Sequence, residues 1–121
     1  MATSKGGVVA SAVAAAALTK YQAVKMTSSG INAATANTDS CIGTLLDDVA
    51  SGGIASVALV STGIIKGIAS DAIARGAYVT TTTGGKWVTW STGAGAKHIA
   101  WTAAGADGDL FEIVACTGVT A

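Results

Sequence analysis

The most constraining feature of this sequence is a segment that occurs twice in similar form. Residues 41–63, CIGTLLDDVASGGIASVALVSTG, share a pattern with residues 98–118, HIAWTAAGADGDLFEIVACTG. Each copy begins with a short apolar run, passes through small and acidic residues, crosses a turn that contains glycine and ends on alternating apolar residues. This pattern predicts two similar β-hairpins packed around one core. Two like hairpins can also pair edges that would otherwise stay open.

Further strand signals surround these hairpins. Residues 21–30, YQAVKMTSSG, alternate in polarity and end in a turn signal, which predicts a strand, whereas residues 31–40 are small and polar and predict a loop or irregular edge structure. Residues 70–76, SDAIARG, allow one helical turn. Glycine is frequent and proline is absent. The sequence therefore predicts an all-β fold, a small barrel or sandwich built of two similar hairpin units.

The clearest local signal is YVTTTTGGKWVTW, residues 78–90. Two β-branched and aromatic runs flank Gly84-Gly85, and glycine supplies the positive φ of a two-residue turn at low cost. A turn of that length places Thr83 opposite Lys86. It also places Trp87 and Trp90 on opposite faces of the hairpin.

Composition bears on the class of partner. Charged residues make up 12% of the chain, with seven basic and seven acidic side chains, and no basic cluster could follow a phosphate backbone. Nucleic acid is therefore not an expected partner. Much of the apolar content is alanine, which removes little area from water when buried. Together with a mean hydropathy of +0.55, this indicates a protein covered by other subunits.

Catalytic and metal-binding patterns are not evident. His98 has no ligand partner nearby in sequence, and Cys41 and Cys116 form no CxxC pair, so we expect no zinc site or other cofactor. For the two cysteines, buried free thiols are favoured over the alternative of a disulfide. The adjacent Asp47 and Asp48 are best explained as turn acids. The apolar run near the N-terminus is too short to span a bilayer. We therefore expect neither an enzyme nor a membrane partner.

Four segments in order carry a resemblance to a known family: GVVASAVAAAALTKYQAVKMTSSG, ATANTDSCIGTLLDDVASGGIASVALVSTG, DAIARGAYVTTTTGGKW and GDLFEIVAC. Together they resemble the capsid cement, or head decoration, proteins of tailed bacteriophages, over nearly the whole chain from Val8 onward. The sequence departs from that pattern at His98 and Trp101, where such proteins usually carry small or aliphatic residues.

The resemblance implies a β-rich domain with an extended N-terminal arm, made in the host cytoplasm and placed on the outer surface of the virion. It also implies a homotrimer that binds the major capsid protein of the mature icosahedral head and stabilises the shell against internal DNA pressure.

We assign the arm to residues 1–20 and a single β domain to residues 21–121. Four apolar residues of the arm show no clear helix or strand period and need an external groove: Val8, Val9, Val13 and Leu18. With Trp87 and Trp101 they are the predicted capsid- or subunit-binding residues. The alternative function is a head-surface adhesin or carbohydrate-binding module that uses exposed tryptophans.

Overall fold

The computed structural model describes residues 9–36, 39, 41–59, 63–90 and 98–115. The first half of the chain contains the strands β1 Val9–Val13, β2 Ala23–Thr27, β3 Gly30–Ala33, β4 Cys41–Leu45 and β5 Ile54–Leu59. The second half contains β6 Ile65–Ile68, β7 Tyr78–Thr82, β8 Lys86–Thr89, β9 His98–Ala100 and β10 Leu110–Ala115. Over these ranges the only helical segment is the 3-10 turn Thr83–Gly85, and no helix is long or apolar enough to cross a membrane. The all-β prediction is confirmed.

The strands form two antiparallel five-stranded sheets with the same topology. The first sheet has the order β1-β5-β4-β2-β3 and the second has the order β6-β10-β9-β7-β8. Each strand ladder of the described residues joins two strands of the same half. Because the two strand orders match, each strand of the first half has a counterpart in the second. The repeat seen in the sequence as the hairpins β4–β5 and β9–β10 therefore belongs to a duplication of the whole described fold.

Isolated β-bridges also occur at equivalent positions in the two halves. Two bridges of the first half and their counterparts in the second are Leu18–Val49 with Ile73–Ala104, and Ala14–Ile31 with Ala69–Trp87. The second pair joins the two edges of each sheet. A single bridge is not a ladder, so neither sheet closes into a barrel, and the arrangement is that of a sandwich.

Each half has its own hydrophobic cluster, so the prediction of one shared core needs correction. The first cluster contains only residues of the first half: Ala14, Leu18, Val24, Ile31, Leu45, Ala55 and Val57. The second cluster combines residues of the second half with Ala23 and Ala34: Ile65, Ala69, Ile73, Val79, Trp87, Ala100, Ala104, Phe111 and Ile113. Two clusters arise because each sheet is curved enough for a single bridge to join its edge regions, so the side chains of its inner face pack mainly against one another.

At two equivalent core positions, a larger side chain in the second half is accompanied by a smaller neighbouring residue. Trp87 occupies the position of Ile31, and the residue that faces it across the sheet edge is Gly67 where the first half has Ala12. A Cβ atom at Gly67 would lie 2.6 Å from Ile113 Cδ1 and 2.7 Å from Trp87 Nε1. Glycine is therefore required where the larger indole packs.

Residues 9–20 belong to the folded domain and not to a separate arm. Strand β1 pairs with β5 from Val9–Ala58 to Val13–Ile54, and Leu18 is 5% exposed in the first cluster. The sequence showed no period here because alanine carries most of the inward positions of β1 and of the turn that follows. Residues 1–8, which include Val8, lie outside the described residues.

Three local predictions also change. The hairpin of residues 78–90 has a three-residue turn that pairs Thr82 with Lys86, because Gly84 and Gly85 have φ values of 78° and 73°. That register puts Trp87 on the buried face with Thr81. Residues 70–76 contain no helical turn, and residues 31–33 form part of the regular edge strand β3, where a loop or irregular edge structure was predicted.

Candidate functional site

Each sheet has an inner face toward its own cluster and an outer face on the opposite side. In β10, for example, Phe111 and Ile113 are buried in the second cluster, whereas Leu110, Glu112 and Val114 alternate with them and lie on the outer face. The outer faces of the two sheets have equivalent backbones but different surroundings. They are the surfaces through which this fold can meet a partner.

The outer face of the first sheet packs against the second half of the same chain. We call its residues Ala23, Thr44 and Ala58 the packed face. Ala23 is completely buried in the second cluster, and Ala58 packs against that cluster. The Thr44 hydroxyl donates a 2.7 Å hydrogen bond to the backbone oxygen of Lys66. The halves are thus joined by small side chains and a buried polar contact.

A second set of contacts joins the halves around the packed face. The Gln22 side-chain amide donates to the Gly84 oxygen at 3.0 Å, and the Thr81 hydroxyl donates to the Ala36 oxygen at 2.7 Å. A Cβ atom at Gly85 would lie 2.3 Å from Gln22 Cγ. The turn of the second half therefore approaches the first half too closely for a side chain at that position.

The same outer face of the second sheet carries large apolar side chains. Tyr78, Ile99 and Val114 occupy the positions of Ala23, Thr44 and Ala58, because the pair Tyr78–Ile99 corresponds to Ala23–Thr44 in sheet order. We call these three residues the open face. Tyr78 is 37% exposed, and Ile99 and Val114 are half-buried. An apolar outer face of this kind is suited to a protein partner.

Two apolar patches lie near the beginnings of β5 and β10. The first patch consists of Val13 and Ile54, and the second consists of Ile68, Leu110 and Trp101. The cross-strand pair Val13–Ile54 is equivalent to Ile68–Leu110. Ile54 is 68% exposed, and Leu110 and Trp101 are each 49% exposed. Each half therefore presents an apolar patch at an equivalent place.

The structure separates the predicted site residues into two groups. Val13 lies in the first patch and Trp101 in the second, and Val9 is exposed at the other end of β1, opposite Ala58. Leu18 is buried, and Trp87 is fully buried in edge-to-face contact with His98, with ring centroids 4.9 Å apart. Those two side chains stabilise the chain's own interior and offer no partner surface, because other residues of the same chain cover them. An exposed platform formed by Trp87 and Trp101 is therefore not present.

Sequence reasoning did not single out Ile54 and Leu110. Both follow the glycine turns at Gly52 and Gly108, which have φ values of 84° and 90°. The alternation of β5 and β10 was visible in the sequence and already separated these residues from the inward ones. The missing information was which of the two faces is covered by the rest of the chain.

Within the described residues, Cys41 and Asp39 have pKa values that depart from the ordinary ones. Burial raises the pKa of the Cys41 thiol to about 11, so this thiol stays protonated at neutral pH. The backbone N–H of Thr35, followed by the ammonium of Lys25 at 3.1 Å, holds the pKa of Asp39 below its ordinary value. Within the described ranges, no three His, Cys, Asp or Glu side chains cluster in a way that could hold a metal ion.

Comparison with known proteins adds the final observation. No family model and no curated protein sequence matches the chain. Among solved structures, the chain is similar to the head fiber gp8.5 N base of bacteriophage phi29, with a TM-score of 0.75 and 22% identity. The match covers 91% of this chain and 94% of that chain. The resemblance to phage head proteins is thereby supported at the level of the fold, which this chain shares with a phage head fiber base.

Proposed function

We propose that this chain is a capsid cement protein that binds the outer surface of a phage head and stabilises it against internal DNA pressure. The observation that carries the proposal is the likeness of its fold to a phage head fiber base over nearly the full length of both chains. The low charge and the exposed apolar patches support a protein partner, for which the major capsid protein is the candidate.

The two apolar patches are the proposed docking surface. An icosahedral shell presents the same subunit many times in nearly equivalent surroundings, and this chain presents equivalent patches on its two halves. Burial of an exposed Ile or Leu side chain contributes roughly 1.5–3 kcal/mol. Two patches in one chain, multiplied in a homotrimer, would gain further from high effective concentration once the first contact forms.

Stabilisation of the shell then follows from mass action. A protein that binds the mature lattice, and binds the immature or broken lattice more weakly, lowers the free energy of the mature form by an amount set by its concentration and dissociation constant. No bond is made or broken in this function, so we propose a structural protein of the virion that requires no cofactor and is not an enzyme. Nucleic acid and membrane are not among the proposed partners.

The test is cosedimentation with expanded, undecorated heads of the phage that encodes this chain. Full-length protein should bind saturably. The double variant Ile54→Asp/Leu110→Asp should bind at least tenfold more weakly, because each aspartate removes an apolar contact and a tenfold change corresponds to about 1.4 kcal/mol. Ala74→Asp, on an exposed turn outside both patches, is the matched control and should bind normally.

A truncation tests the N-terminal contribution and must stop at residue 8. Removal of residues up to Leu18 would delete β1 and two members of the first cluster, Ala14 and Leu18, and would test folding instead of binding. Absence of binding by the intact protein would overturn the proposed function. Normal binding by the double variant would overturn the proposed docking surface.

A further inference from the structure

The duplication assigns a partner to the open face. In the first half, the equivalent packed face is covered by the second half of the same chain. The residues of the second half that receive it form what we call the covered rim: Lys66 in β6, Thr81 in β7 and Gly85 in the turn before β8. The open face, defined above as Tyr78, Ile99 and Val114, is partly exposed, with Tyr78 37% exposed.

The counterpart of the covered rim in the first half is exposed. We call its residues Ser11 in β1, Met26 in β2 and Ser29 before β3 the exposed rim, since they occupy the positions of Lys66, Thr81 and Gly85. Thr81 is 4% exposed, whereas Met26 is 55% exposed, and Gly85 is buried, whereas Ser29 is exposed. Each chain thus has a packed face in contact with a covered rim, and it also has an open face and an exposed rim at the equivalent positions.

We propose that the open face of one copy of this chain docks on the exposed rim of a second copy, in a head-to-tail contact that repeats the contact between the two halves. The occupant is a second copy because an equivalent rim already receives an equivalent face inside every chain. This inference does not depend on capsid binding.

The two proposed surfaces differ in detail from the pair that is already in contact. The open face has the bulky Tyr78 where the packed face has Ala23. The turn of the exposed rim is one residue shorter: Ser28 and Ser29 connect β2 to β3, whereas the three residues Thr83–Gly85 connect β7 to β8. The contact between copies therefore uses equivalent backbone positions with different side chains.

The contact also uses an edge strand. In the second half, the edge strand β6 accepts the Thr44 hydrogen bond through the Lys66 oxygen. Its counterpart β1 is an edge strand with Ser11 exposed at the equivalent position. Apolar edge strands that remain uncovered promote uncontrolled association, so a specific contact here has a protective role as well.

A mixing experiment tests the head-to-tail contact with two blocked variants. Tyr78→Asp blocks the open face, and Met26→Asp blocks the exposed rim. Each variant alone should be monomeric by light scattering, because in a heterologous contact loss of either surface removes every pairing between identical copies. An equimolar mixture should form heterodimers, since the intact face of one variant fits the intact rim of the other.

Ala74→Asp is the matched control, on an exposed turn that belongs neither to the open face nor to the exposed rim. This variant should associate like the natural chain. Near-ultraviolet circular dichroism should show that all three variants are folded. A monomeric natural chain at high micromolar concentration, or a mixture that stays monomeric, would overturn the proposal. Normal association of Tyr78→Asp would also overturn it.

Discussion

The contact between Gly67 and Trp87 gives the sharpest stability prediction. In Gly67→Ala, the new methyl carbon would lie 2.6 Å from Ile113 Cδ1, 2.7 Å from Trp87 Nε1 and 2.8 Å from Trp87 Cδ1. All three distances are well inside normal carbon contacts of about 3.5–4.0 Å. Both neighbours are fully buried and cannot swing into solvent. We expect a loss of about 1–3 kcal/mol, the usual cost of overpacking a dense core.

The duplicated half supplies the compensating change. The first half accommodates Ala12 at the position of Gly67 because Ile31 stands where the second half has Trp87. Trp87→Ile alone leaves a cavity and should cost about 2–4 kcal/mol. Burial of the indole is worth about 4–6 kcal/mol from its area, of which isoleucine recovers a part.

The double variant Gly67→Ala/Trp87→Ile tests whether the two positions are coupled through the sizes of their side chains. The added methyl group fills part of the cavity, so the double variant should be more stable than the sum of the single effects predicts, by about 1–2 kcal/mol. Urea unfolding of the four proteins, followed by circular dichroism, measures this coupling. Additive effects, or a loss below about 0.5 kcal/mol for Gly67→Ala, would refute the reasoning that the two positions were matched in size.

Three further predictions address single groups. Leu18→Ala should lower the free energy of unfolding by about 2–4 kcal/mol in urea, whereas Val9→Ala, at an exposed strand position, should change it by less than about 0.5 kcal/mol; equal effects would contradict the integration of residues 9–20 into the core. Cys41, with its pKa raised to about 11, should react with a thiol reagent at pH 8 far more slowly in the folded protein than after unfolding, tested with Cys116→Ser. Asp39 has a lowered pKa when folded, so its stabilising contribution is complete above the ordinary carboxyl pKa of about 3.9 and disappears as the pH falls through the lowered value. Asp39→Asn should therefore be less stable than the natural chain at pH 7, with the difference vanishing in acid, and a pH-independent difference would contradict this linkage.

The sequence was most informative where strands have strong alternation. The alternating apolar residues near the ends of segments 41–63 and 98–118 form β5 at Ile54–Leu59 and β10 at Leu110–Ala115. Their alternating side chains are large enough to show the period of a pleated strand. The resemblance to phage head proteins also depended on such segments, together with the turns between them.

Predictions failed where alanine fills the interior. The positions of β1 that pair with the inward residues of β5 are Ala10 and Ala12, which carry almost no apolar signal in a sequence, so an edge strand was interpreted as part of an arm. The hairpin register failed for another reason, since two glycines permit either a two-residue or a three-residue turn. That one-residue difference reverses which face receives Trp87.

The separate clusters of the two halves also bear on how the chain folds during synthesis. The first cluster contains residues of the first half alone. In the first sheet, the paired residues that lie farthest apart in sequence are Val9 and Ala58. The first sheet can therefore complete its pairing while the second half is still on the ribosome. The second cluster needs Ala23 and Ala34 from the first half. By the time the second half emerges, the finished first half already offers the surface on which its core is completed, so the order of translation favours the order of assembly.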